Sequence, residues 1–257
     1  MKKEIRPYVL AETNWKQVKD EDYSFAVLPW GATEAHNYHL PYATDNFLAE
    51  EAAIAAAGKA WEKNARPIVL PTIPFGVNTG QMEVKLCMNM NPSTQYAVLK
   101  DVVQVLDKHG IDKLVLVNAH GGNNFKQMIR ELSLEYPGIF VCSLNWWQVT
   151  DAEPYFKEPG DHAGELETAA MMHLEPELVL PLEEAGDGSA KGFKLKGLKD
   201  GWVSAQREWT KVTKDTGVGN PKAATPEKGR KFFEASTSLI AEFFEELHAA
   251  DIKNLYE

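Results

Sequence analysis

Between residues 28 and 45 the chain reads LPWGATEAHNYHLPYATD, which places Glu34, His36, His39 and Asp45 in one short stretch punctuated by Pro29, Gly31 and Pro41. Carboxylates and imidazoles together are the donor set of a hard-to-borderline divalent ion. Packing gives no reason to gather them in a turn-rich segment, so the stretch reads as a metal loop following a strand at 25–28. In extended backbone Glu34 and His36, two apart, project to the same side. His39 is out of phase and is expected to face away, as a core histidine or a support for a ligand. Asp45 precedes an apolar-periodic run at 47–61, so it can cap that helix, bind metal, or do both through its two oxygens.

Two later segments carry similar chemistry. The apolar run KLVLV at 113–117 reads as a buried parallel strand. It runs into Asn118-Ala119-His120-Gly121-Gly122-Asn123-Asn124 and a helix-like stretch at 125–136. Ligands of open α/β sheets bind at the carboxyl ends of strands, where His120 falls. The glycines permit a tight turn, and Asn123 or Asn124 can cap the helix; a plain glycine turn or an anion nest has the same composition. The third segment, Asp161-His162-Ala163-Gly164-Glu165-Leu166-Glu167-Thr168, follows an apolar run at 139–144 and the pair Trp146-Trp147. On a regular helix Glu165 and Glu167 point roughly 200° apart, so only one of them readily faces a given site. Glu165, three residues from His162, is the expected partner, which leaves Glu167 to hold loop backbone. A solvated helix start explains the acids but not His162. Trp146 or Trp147 could wall a flat substrate or simply fill the core.

In order, GATEAHNYHLPYATD, NAHGGN and HAGELET resemble the three signatures of the creatininase (creatinine amidohydrolase) family, which read G-[ST]-T-E-x-H-G-x-H-L-P-x-x-T-D, N-G-H-G-G-N and H-A-G-E-x-E-T. The resemblance implies a three-layer α/β/α sandwich with a mainly parallel sheet, and a metal-dependent hydrolase of C–N bonds holding two divalent ions per subunit. Zn²⁺ is the first candidate, with Mn²⁺ or Fe²⁺ as the others. By resemblance Glu34, Asp45 and His120 would hold one ion; His36, a bridging Asp45 and a further glutamate would hold the other. A homo-oligomer, often a hexamer, is implied as well.

The chain departs from the creatinine-hydrolysing members in several places. Their second-metal glutamate, two residues after the His120 position, is Gly122 here, so that carboxylate is assigned to Glu165 with Glu167 as the fallback. The usual glycine after His36 is Asn37, the following proline position is Tyr38, and the usual histidine-containing stretch is missing from 73–91. The expected substrate is therefore a small cyclic or linear amide other than creatinine. A hydroxide between two ions roughly 3.5–4 Å apart would attack the carbonyl, and His162 would shuttle a proton to the leaving nitrogen. Trp147 and Asn123 are the expected substrate-binding residues. A formamide-hydrolysing or peptide-trimming enzyme and a non-catalytic metal-binding scaffold are the alternatives.

The 257 residues, 44% hydrophobic and 25% charged, suit one globular domain spanning the chain. A net charge of −10 opposes nonspecific binding to nucleic acid or anionic membrane. Cys87 and Cys142 lack metal or redox spacing, and the start MKKEIRPYVLAET has no apolar signal core, so a reduced, cytoplasmic protein is expected. Strand-like runs at 25–28, 67–70, 113–117 and 139–144 alternate with helical runs at 47–61, 94–108 and 124–136, the order of a parallel α/β sheet. Residues 181–226 read as irregular surface structure or an oligomer contact. Pro226 opens a final amphipathic helix whose apolar face is Phe232, Phe233, Leu239, Ile240, Phe243 and Leu247.

Overall fold

Four parallel strands form the centre of the protein, a computed structural model that describes residues 5–158 and 160–256. They are β1 (Phe25–Trp30), β2 (Pro67–Val69), β3 (Lys113–Asn118) and β4 (Phe140–Asn145), in spatial order β2-β1-β3-β4. The helices are α1 (Trp15–Val18), α2 (Thr44–Glu62), α3 (Pro92–Lys108), α4 (Lys126–Glu135), α5 (Glu165–Leu174), α6 (Lys196–Lys199), α7 (Trp209–Val212) and α8 (Pro226–Ala249). β5 (Gly160–His162) and β6 (Val218–Gly219) form a separate antiparallel pair.

Strand alternation divides the core. Phe25, Val27, Val115 and Val117 face α2, α5 and α8. Ala26, Leu28, Leu114 and Leu116 face α3 and α4. The result is the expected three-layer α/β/α arrangement with both sheet faces covered, which is why the strands read as unbroken apolar runs. On α8 the buried face includes Phe232, Phe233, Ile240, Phe244 and Leu247. Leu239, expected there, is exposed, and Phe243 is only half-buried.

The connections place the site. β1 and β3 are neighbours, yet the helix after β1 lies on one face of the sheet and the helix after β3 on the other. At such a switch point the loops diverge and leave a crevice beyond the strand ends. The metal loop leaves β1 at Trp30, and His120 follows β3 directly. Gly31 is required at the first step: a Cβ there would stand 2.3 Å from Asn46 Oδ1 and 2.7 Å from Asn46 N. No helix among the described residues is long and apolar enough to cross a membrane.

Candidate metal centre

Two buried carboxylates, a third that is half-buried and three buried imidazoles meet in the crevice. Asp45 is central: its Oδ1 is 3.1 Å from His36 Nε2 and its Oδ2 is 3.1 Å from His120 Nδ1. Glu34 Oε1 is 2.9 Å from the same His120 nitrogen and 3.7 Å from His162 Nδ1. Glu34, Asp45 and His120 form one potential ligand set, and His36, Asp45 and Glu167 form a second that shares Asp45. Glu34, His36 and His162 form a third.

Backbone carbonyls orient all three rings. His36 Nδ1–H donates to Glu34 O at 3.1 Å, His120 Nε2–H to Val77 O at 3.1 Å, and His162 Nε2–H to Ala35 O at 2.9 Å. A carbonyl only accepts, so each neutral ring turns its lone-pair nitrogen toward the carboxylates. Lone pairs facing carboxylates repel unless a cation stands between them. Glu34 Oε1 and Asp45 Oδ2 are buried without a well-directed hydrogen bond despite these short approaches. The donor set, its orientation and its orphaned oxygens fit divalent metal.

The electrostatics agree. Burial alone would lower the His36 pKa, but Asp45 outweighs it and pushes the imidazole up to about 10. Burial likewise opposes charge on His120, yet Glu34 and Asp45 hold its pKa well above 6.5. Asp45, which burial would raise, is held well below the usual carboxylate range by His36 and His120. Burial raises Glu167, despite the opposing effect of His36 and His162. The cluster demands positive charge, and without metal the protons supply it.

Local sequence explains how the loop reaches this geometry. Asn37 adopts φ +53°, the left-handed region that favours glycine and that asparagine tolerates best among other residues. The substitution at the family's glycine position is thus conformationally conservative. It also adds contacts: Asn37 Oδ1 accepts from Gly186 N at 2.8 Å, and its backbone N–H donates to Thr216 Oγ1 at 2.9 Å. Asp45 lies in the first turn of α2 but makes no capping bond; both its oxygens serve the cluster. His39 is buried outside the cluster with Nε2 2.9 Å from Thr168 Oγ1, and burial lowers its pKa to about 4.

Two expected site residues are engaged differently. Glu165 lines the cavity above the cluster but belongs to none of the three potential ligand sets. One of its oxygens pairs with Lys228 Nζ, and the other accepts Lys157 N–H and Glu158 N–H, both at 2.8 Å. Glu167 takes the inward position, with its Oε2 accepting Ala163 N–H. Asn123 is consumed by structure: Oδ1 accepts from Val77 N at 3.1 Å and Gln95 Nε2 at 2.8 Å, while Nδ2 donates to Asn118 Oδ1 at 3.0 Å and Gly31 O at 3.3 Å. With its oxygen and its amide N–H groups engaged in this way, it has nothing to offer a substrate.

The cluster floors a cavity of about 470 Å³. Trp147 lines it, whereas Trp146 is buried against Phe232 and Phe233. Three further lining residues had no signal in spacing. Gln81 Nε2 donates to Glu34 Oε2, and Gln81 Oε1 accepts from Cys87 Sγ at 3.5 Å. Trp209 sets its ring edge-on to His162, at 5.3 Å and 90°. Arg207 covers the face of Trp209. Arg207 and Trp209 come from the 181–226 segment, which therefore walls the site as well as forming surface. Both cysteines are unpaired thiols.

Residues 11–244 match the Creatininase family model, described as creatinine amidohydrolase. A putative creatinine amidohydrolase from Bacteroides fragilis superposes with a TM-score of 0.93 at 44% identity, over 98% of this chain and 99% of that one. A structure described as "Creatininase Mn" superposes with a TM-score of 0.77 at 24% identity, over 95% and 99% of the two chains, and so shares the fold. The mycofactocin precursor peptide peptidase of Mycobacterium ulcerans (strain Agy99) is 27% identical over 217 residues, which is 80% of this chain and 79% of that protein.

Proposed function

The chain belongs to the creatininase family, and on that premise we propose that it is a metal-dependent amidohydrolase cleaving a C–N bond of a small molecule in the cavity above Asp45. One observation carries the reading. Three histidines, each oriented by a backbone carbonyl, turn their second nitrogens onto buried carboxylates at the floor of an open cavity. A metal-binding scaffold would need the ligands but not the open cavity above them. Glu34, Asp45 and His120 would hold one divalent ion, and His36, Asp45 and Glu167 a second. Ions bound there would lower the pKa of water and polarise an amide carbonyl.

The chain's own residues supply orientation and a proton path. Glu34 is held by Gln81, and Glu167 by the Ala163 amide. His162 keeps Nε2 on the Ala35 carbonyl, so Nδ1 is the atom that can carry a proton to the leaving nitrogen. The same nitrogen also completes the third ligand set with Glu34 and His36. His162→Ala separates these roles: retained metal with turnover reduced at least ~100-fold supports proton transfer, whereas lost metal supports ligation.

The test is a hydrolysis screen of metal-loaded protein against cyclic ureas and lactams, formamides and short peptides, read by amine release. A peptide-trimming activity is the second reading, favoured by the relative described as a mycofactocin precursor peptide peptidase. Uniform inactivity at full metal loading would return the scaffold reading. A cytoplasmic homo-oligomer completes the proposal, and light scattering tests its assembly.

A further inference from the structure

Among the described residues, Arg207 is the one arginine or lysine lining the cavity, where Glu34, Asp45, Glu158, Asp161, Glu165 and Glu167 supply carboxylates. The proton and metal chemistry above gives it no task. Its position is nonetheless built. The guanidinium lies over the Trp209 ring, 4.5 Å from its centroid. Trp209 is fixed by donation of Nε1–H to Thr216 O at 2.9 Å, and its ring also meets His162 edge-on. The backbone beneath is seated too: a Cβ at Gly80 would stand 2.1 Å from Arg207 O, and Thr210 Oγ1 donates to Glu83 Oε2 at 2.9 Å. A cation stacked on an aromatic face and anchored at its backbone is organised before any ligand arrives.

The partner that holds Arg207 is exchangeable. Nη1 is 2.9 Å from Asp161 Oδ2, but the Asp161 side chain is 53% exposed. Ion pairs at such exposure contribute little. A planar, permanently charged fork at the mouth of a site, paired among the described residues with a solvated carboxylate alone, is suited to receive another carboxylate with two parallel hydrogen bonds. The path from Arg207 to the cluster runs through two ring contacts, by way of Trp209 to His162. A ligand that reaches both therefore spans a residue or two of extended chain.

We propose that Arg207, on the face of Trp209, is an anion subsite, and that the substrate is an amide bearing a free carboxylate on the portion directed to the mouth: a short peptide or an acylated amino acid. The inference rests on the amidohydrolase reading of the same cavity. Hydrolysis adds water across the C–N bond, leaving a new carboxylate on the acyl carbon and the proton on the departing amine. Arg207 bonds the carboxylate already present and takes no part in the bond changes.

Acetylated dipeptides prepared with a free C-terminal carboxylate, and again as the C-terminal amide, test it on protein loaded with Mn²⁺ or Zn²⁺. The free acids are expected to be better substrates by ~10–100-fold in kcat/KM, chiefly through KM. Arg207→Gln should abolish that preference, while Arg207→Lys should keep part of it because the charge remains and the fork is lost. Equal rates for acid and amide, or a preference that survives in Arg207→Gln, would overturn the subsite. Calorimetric binding of the same pairs separates this from the hydrolase reading. Tighter binding of the acids that Arg207→Gln removes, without turnover, sustains the subsite and counts against catalysis on these peptides. Equal binding of acid and amide, or binding of neither, overturns the subsite itself.

Discussion

Lys228 reaches from the first turn of α8 to the carboxylate of Glu165, the first residue of α5, a side chain that belongs to none of the potential ligand sets. Glu165 is fully buried at this contact, and Lys228 retains 28% exposure. The opposite oxygen of Glu165 ties down the backbone at Lys157 and Glu158, which forms part of the cavity wall. The pair therefore braces the site from behind.

Removing the cation should expose that role. Lys228→Met leaves a buried carboxylate with two amide donors and is expected to cost about 2–4 kcal/mol in chemical denaturation at pH 7. Burial alone would raise the Glu165 pKa, but Lys228 and the amides of Glu158 and Lys157 outweigh it and hold the group below 4.5. A depressed pKa means stability that is present above 4.5 and lost as the pH falls through the folded-state value. The gap between native and variant protein should therefore narrow below pH 4.5. A gap that is constant from pH 7 to pH 3.5 would count against the pair as its source.

Asp45 belongs to two ligand sets and Glu167 to one. Elemental analysis of untagged protein should accordingly find about two divalent ions per subunit, the arrangement of bridged hydrolytic sites. Asp45→Ala should abolish stable binding at both positions. Glu167→Gln should remove only the ion held with His36, and Glu165→Gln should retain both. Loss of an ion in Glu165→Gln but not in Glu167→Gln would make Glu165, and not Glu167, the carboxylate that holds it.

The strand ends and metal loop were legible in the sequence because their logic is local. Apolar runs at β1 and β3 end where polar motif residues begin, and parallel strands bring such ends to one edge. What was not legible depended on partners far along the chain. A regular helical projection favours Glu165 beside His162, but α5 begins only at Glu165, after Ala163 has turned through φ +51°. Lys228, 63 residues later, then claims the Glu165 carboxylate. Asn123 looked free in the motif because Gln95, Val77 and Gly31, which use its amide, lie at least 28 residues away. Arg207 and Trp209 sit among scattered apolar residues, and long-range contacts such as the pairing of β5 with β6 and the Arg207–Asp161 ion pair draw their segment to His162.

Gly122 stands where creatinine-hydrolysing members of the family carry a glutamate, and the structure explains why this chain has no side chain there. A Cβ would lie 2.3 Å from Val77 O and 2.4 Å from His120 Nε2, the two atoms of the bond that orients His120. Gly122→Ala should therefore destabilise the fold by about 1–3 kcal/mol. It should also weaken metal held by Glu34, Asp45 and His120 by ~10–100-fold, the usual effect of losing a partner behind a ligand. Thermal unfolding and competitive chelation measure the two effects. A variant that retains native metal affinity would show that the Val77 contact is dispensable.

Metal loading should be coupled to proton release. In the metal-free protein Asp45 raises the His36 pKa to about 10 against the effect of burial, and His120 is also raised well above 6.5. A raised folded-state pKa gives stability that is fully present below 6.5 and lost as the pH climbs through about 10. The metal-free protein should thus lose thermal stability between these limits. A divalent ion needs the lone pairs of the same nitrogens, so binding near neutral pH must expel their protons. Calorimetric titration with Zn²⁺ or Mn²⁺ in buffers of different ionisation enthalpy should report about one to two protons released per subunit. Apparent affinity should rise as the pH increases from about 6 to 9, and the loaded protein should not share the alkaline loss of stability. Binding without proton release would mean that both rings are neutral before the metal arrives, and that the carboxylates rather than the imidazoles carry the cluster's protons.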